Sequence, residues 1–155
     1  RMVALEGELA DGVLLNYLPA GHVPWSVEQV RAGGDATIYA YVHAGVCERD
    51  EGIDNARRDL YSYAVVDSYA RNFERAGFAD EVAEIRGRFA DGDRAGAVAA
   101  VSDRMVDAID VMGDADTVHA TMRAYADAGV DMPLPWGADR RASAEATIRA
   151  AAGAG

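Results

Sequence analysis

The 155-residue chain contains no lysine, and all 15 of its basic residues are arginine. That bias, with abundant alanine, is the imprint of a GC-rich coding sequence and says nothing about chemistry. Cys47 is the only cysteine, which excludes a disulfide within the chain and points to a reducing cytoplasm. Only His22, His43 and His119 are available as imidazole ligands, and no zinc-type spacing exists, so no metal site is expected. Positive charge is scarce: 15 basic against 26 acidic residues gives −11. The arginines are scattered rather than gathered, so neither nucleic acid nor an anionic membrane is an expected partner. No apolar run approaches the roughly 20 residues that span a bilayer, and the first residues lack the layering of a signal peptide. Also missing are GxxxxGK[ST], the dinucleotide GxGxxG and a GxSxG elbow, so nucleotide hydrolysis, a nicotinamide-binding fold and serine-esterase chemistry have no support.

What is present is 50% hydrophobic residues, enough for one domain with a core over residues 1–155. A helix is expected over residues 2–10. Gly12 then stands where a left-handed residue would stop it, and Val13-Leu14-Leu15 is a short run of the kind buried on both faces of a parallel sheet. A second helix over about 22–32 carries Val23, Val27 and Val30 on one face. Thr37–Val46 is the clearest strand, with Ile38, Ala40 and Val42 on one side and Tyr39, Tyr41 and His43 on the other. From about Asp54 the period becomes helical, with Leu60, Tyr61, Ala64, Val65, Tyr69 and Phe73 on one stripe and Gly77 as its terminator. These aromatics have core spacing and are not a cofactor box. Asp80, Asp93 and Asp114 are expected caps of three further helices, the second of them running from Asp93 through Ile109 and the third ending at Gly129. Residues 130–136 are expected to be a strand leading into a proline-rich loop, followed by a last helix from about Asp139. Alternating strands and helices make the class α/β, but three strands cannot close a barrel, and a complete (β/α)8 barrel needs roughly 250 residues.

Three segments carry a family resemblance: Gly7-Glu-Leu-Ala-Asp-Gly-Val-Leu-Leu-Asn16, Tyr41-Val-His-Ala-Gly-Val-Cys47 and Met132-Pro-Leu-Pro-Trp-Gly137. They resemble the later half of luciferase-like oxidoreductases, and most closely the branch that uses the deazaflavin coenzyme F-420. Tyr63-Ala-Val-Val-Asp-Ser-Tyr-Ala-Arg-Asn-Phe73 and Val101-Ser-Asp-Arg-Met-Val-Asp107 resemble the helical insertion, at about 54–110, and a late helix of such proteins. The resemblance implies the carboxyl-terminal portion of a luciferase-like TIM (β/α)8 barrel, and hydride transfer between coenzyme F-420 and a small organic substrate. FMN and oxygen-activating monooxygenase chemistry is the alternative. A catalytically silent half-barrel or helical interaction module is the alternative of another class. A homo-oligomer is expected. Near Gly33-Gly34 and near Asp131-Met132 the sequence is shorter than the family pattern.

In parallel α/β folds ligands bind at the carboxyl ends of strands, which makes Asn16, Tyr17 and His43 the first candidates for cofactor or substrate contacts. Asn16 is equally suited to capping a turn, and His43 to being a half-buried histidine satisfied by backbone. Trp136 is placed to wall a flat cofactor, or else to pack on the last helix. Arg140, with Arg141, begins that helix where barrels hold phosphate, or forms a solvated pair. Asp50, Glu51 and Asp54 form a charge run with no ligand period, expected as a solvated loop. No residue declares itself as the general acid or base.

Overall fold

The computed structural model describes residues 2–137 and 144–153. Among the described residues four parallel strands are found where three were expected: β1 (Gly12–Leu15), β2 (Thr37–Val46), β3 (Val111–Gly113) and β4 (Met132–Trp136). β2 is the spine. Its first half pairs with β1, Gly12 opposite Thr37 through Leu15 opposite Ala40. β4 pairs from Met132 opposite Tyr39 to Trp136 opposite His43. Because Tyr39 and Ala40 pair with both strands, β1 and β4 lie on opposite sides of β2. β3 extends the pairing beyond them, against Ala44 to Val46. It has three residues, too few to show a period, and so its sequence gives no strand signal. The strand expected over residues 130–136 is β4, which starts at Met132 and includes the two prolines at consecutive same-face positions, 133 and 135.

The alternation along β2 sorts the two faces. Ile38, Ala40, Val42 and Ala44 are fully buried and join Val13, Leu15, Val23, Val30, Val118 and Met122 in one core. The helices α2 (Val23–Gly33) and α8 (Ala115–Asp127) cover that face. The opposite face carries Leu14, Tyr39, Tyr41, Met132 and Trp136, of which Leu14, Met132 and Trp136 are about half exposed. α1 (Met2–Leu9) lies close against α2. A Cβ on Gly7 would fall 2.3 Å from the Val30 carbonyl oxygen, and one on Gly33 only 1.9 Å from that of Ala4. The Gly33-Gly34 pair, which runs so abruptly into β2, is therefore the place where two helices touch backbone to backbone. Gly12 has no positive φ. Its lack of a side chain makes room for the Tyr39 ring, 2.8 Å from where its Cβ would be, so close approach rather than helix termination explains it.

Between β2 and β3 the chain builds a second, helical core from α3 (Arg49–Ala64), α4 (Asp67–Phe73), α5 (Ala79–Ala90), α6 (Arg94–Ala99) and α7 (Asp103–Ile109). Asp50, Glu51 and Asp54 are exposed but lie in the first turns of α3, where acidic side chains face the positive helix end, and not in a loop. The stripe from Leu60 to Phe73 is broken at Val65-Val66, where Val66 turns extended; β-branched neighbours hold a helix poorly. Gly77 is left-handed, with φ of +97°, and Gly129 likewise at +99°, as their terminator roles require. Asp93 and Asp114 do cap, accepting from Gly96 and Thr117 amides. Asp80 does not; it sits inside the first turn of α5. The helix expected from Asp93 to Ile109 is two, because Ser102 is extended and its hydroxyl caps α7 at the Met105 amide. The last helix, α9, covers Ala144–Ala151, and its expected start near Asp139 lies outside the described residues.

Candidate functional site

Parallel pairing brings the carboxyl ends of β1, β2 and β4 to one rim, and a hollow of about 1000 Å³ opens there. Asn16, Tyr17, His43 and Trp136 all line it, so the rim gathers four of the expected residues. Arg140 and Arg141 lie outside the described residues. Facing the strands, α3 contributes Asn55, Arg58, Asp59 and Ser62, and α9 contributes Thr147 and Ile148. Thr147 Oγ1 also accepts the Val46 amide at 3.2 Å, tying α9 to the end of β2.

Tyr17 is the hinge of the site. Among the described residues it is the only non-glycine with positive φ, +52°, a strained conformation for a bulky side chain. Three contacts hold it. Its amide donates to Asn16 Oδ1 at 3.0 Å, its hydroxyl donates to Asp59 Oδ2 at 2.5 Å, and its ring packs 4.1 Å from His43 and 4.0 Å from Tyr63. It is 4% exposed and joins the helical core, while its neighbour Leu18 joins the sheet core and accepts the Tyr125 hydroxyl through its carbonyl. Burial, reinforced by the acceptor Asp59, pushes the Tyr17 hydroxyl far above the ordinary phenol range, so it stays protonated.

His43 is fully buried, and side chains rather than backbone satisfy it. Nε2 lies 2.9 Å from Asn16 Oδ1, and Nδ1 lies 3.2 Å from Asp110 Oδ1. Asp110 is 2% exposed, and its Oδ2 has no hydrogen-bond partner among the described residues. Burial raises the Asp110 carboxyl above the usual range, against the opposing pull of His43. Trp136 does not pack away from the hollow. It is 52% exposed, with its ring 4.8 Å from that of Tyr41.

Sequence reasoning missed Tyr41, Asp59, Tyr63 and Asp110 as parts of this site. Asp110 carried a usable signal, as the one charge between Ile109 and Val111-Met112 in an otherwise apolar stretch. Asp59 carried none, since a helical carboxylate beside two arginines looks like any solvated face. The arrangement offers an aromatic wall, a half-buried carboxamide, a carboxylate and Arg58 around one cavity. Such a set binds and orients a flat, partly polar ligand. Among the described residues, no helix is long and apolar enough to cross a membrane.

No curated protein matches the chain. Among solved structures, it is similar to the coenzyme F420-dependent tetrahydromethanopterin reductase from Methanopyrus kandleri, with a TM-score of 0.65 and 24% identity over 88% of this chain. The match covers 42% of the reductase, so the chain spans less than half the length of that protein. At this identity the likeness establishes the fold: a helix-rich α/β chain with a parallel sheet, corresponding to part of a luciferase-like TIM barrel. The family model described as luciferase-like monooxygenase matches residues 1–132. By that match, which covers most of the chain, the chain belongs to the luciferase-like monooxygenase family.

Proposed function

We propose that the chain forms the carboxyl-end rim of an oxidoreductase that transfers a hydride between the deazaflavin coenzyme F-420 and a small organic substrate. The observation that carries the reading is the hollow at the shared ends of β1, β2 and β4, walled by Tyr41 and Trp136 and floored by Asn16 and His43. The family supports an oxidoreductase, and the similar reductase is one that depends on coenzyme F420. The residues fit such a group. The cavity has the size of a ring-system site, the indole of Trp136 is exposed toward it, and Arg58 lines it without a carboxylate partner among the described residues. In this reading Trp136 and Tyr41 flank the ring, Asn16 meets its polar edge and Arg58 faces an anionic tail. The bound deazaflavin supplies the hydride-exchanging carbon. The protein's part is to position, to exclude water and to keep Tyr17 protonated beside Asp59.

A second reading, FMN-dependent monooxygenation, is favoured by the family description itself. Fluorescence titration of the purified chain with F-420 and with FMN separates the two. Binding of F-420 with quenching, and none of FMN, is the expected result. Tight FMN binding with oxygen consumption reverses the assignment, and failure to bind either removes both.

A further inference from the structure

We infer that Asp110 and His43 fix the side-chain amide of Asn16 in one orientation, so that its NH2 group is presented to the hollow as the hydrogen-bond donor for a carbonyl or anionic oxygen of the ligand. The inference rests on the cofactor reading only for what the ligand is; the orientation follows from hydrogen-bond direction alone.

A backbone N–H can only donate, so the Asn16 atom 3.0 Å from the Tyr17 amide is its oxygen. The same oxygen stands 2.9 Å from His43 Nε2, and an amide oxygen can only accept. Nε2 therefore carries a hydrogen. The other ring nitrogen, Nδ1, faces Asp110 Oδ1 at 3.2 Å with both groups buried. One proton lies between them, giving a pair of zero net charge, whether it resides on the imidazole or on the carboxyl. The ionisable groups around this pair are Asp59 and Tyr63 on α3, Tyr125 on α8 and Tyr17 itself. With both lone pairs of its oxygen engaged, the Asn16 amide cannot flip without placing NH2 against two donors. Its nitrogen makes no hydrogen bond to any described residue, although Asn16 lines the cavity. Asp110 and His43 are thus positioning residues, and Asn16 is the group that meets the ligand.

Two measurements on the whole chain test this. In ¹⁵N-histidine-labelled protein at neutral pH, without ligand, His43 Nε2 is expected to show a directly bonded proton protected from exchange; an unprotonated Nε2 overturns the orientation. N16D keeps an oxygen for both donors but replaces the NH2 with a second oxygen. It is expected to retain the protected Nε2 proton and the thermal unfolding of the parent while weakening binding of F-420 or FMN by about tenfold or more. Equal binding by the parent and N16D overturns the donor role. If the parent binds neither cofactor, the cofactor reading falls with the ligand assignment built on it, and the Nε2 proton still decides the orientation separately.

Discussion

Tyr17 shows how much one residue holds at this site. A tyrosine at φ of +52° persists only because its surroundings over-determine it. The Asn16 oxygen grips its amide, Asp59 grips its hydroxyl and two rings clamp its own. Those contacts divide into a polar tip and an aromatic body. Tyr17→Phe removes only the tip; Asp59, on the exposed side of α3, is then hydrated by solvent. A loss of about 1 kcal/mol in urea unfolding is expected. Tyr17→Ala removes the body from a position buried between His43, Tyr63 and Tyr69, and a loss of about 3 kcal/mol is expected. Near-equal losses in the two variants would show that the hydroxyl, not the ring, anchors the loop.

At the scale of elements, one residue just ahead of β4 adds a clamp to its ladder with β2. The Asp131 carboxylate accepts the Ile38 amide at 2.8 Å and pairs with Arg31 at 2.8 Å, while its own amide donates to the Ile38 carbonyl. This clamp holds the β4 register at the bottom of the sheet, where the strand begins only three residues after Gly129. Asp131→Ala is expected to lose about 1 kcal/mol and to speed hydrogen exchange at Ile38. Asp131→Asn keeps an acceptor and gives up only an exposed ion pair, so it should stay within about 0.5 kcal/mol of the parent. The Ile38 amide, with Arg31 adding, holds the Asp131 carboxyl below the usual range. The Ile38 protection should therefore persist above the ordinary value of 3.8 and fade as pH falls through the lowered one. The α1–α2 contact offers a complementary test. Gly33→Ala drives a methyl into the Ala4 carbonyl, and a loss of about 1 to 3 kcal/mol is expected from the denaturant midpoint; no loss would mean that α1 yields freely.

These particulars explain what the sequence disclosed. β2 was legible because its β-branched and aromatic residues alternate from Thr37 to Val42, and α8 because a cap, a stripe of Val118, Met122 and Tyr125 and a left-handed Gly129 agree with one another. The rim residues Asn16, Tyr17, His43 and Trp136 followed from strand ends, since parallel pairing puts such ends together. β3 was hidden by its length, and the division of the helix at 100–102 by Ser102, whose capping is invisible in an alanine-rich run. Asp59 and Asp110 belong to the site only through contacts with residues 42 and 67 positions away, and local pattern carries no such information.

At the scale of the whole molecule, charge sets two opposing responses to pH. Asp67, Asp93, Asp103, Asp114 and Asp131 all have carboxyls held below the usual range, by Arg86, the Gly96 amide, Arg57, Thr117 and the Ile38 amide respectively. Their contribution is present above the ordinary carboxyl value and is lost as pH falls through the lowered ones. Asp110 works the other way. Its carboxyl is raised by burial, so its contribution is complete below about 3.8 and is lost as pH rises through the raised value. The net charge of −11 acts in the same sense as Asp110, because self-repulsion eases as pH falls toward the isoelectric point near 4.6. The urea midpoint should therefore be higher at pH 5 than at pH 8 and should drop below pH 4. Asp110→Asn removes the buried titration but leaves the net charge within one unit of its former value. The variant should show a smaller difference between pH 5 and pH 8 than the parent, and an unchanged difference would assign the whole effect to surface repulsion and none to the His43–Asp110 pair.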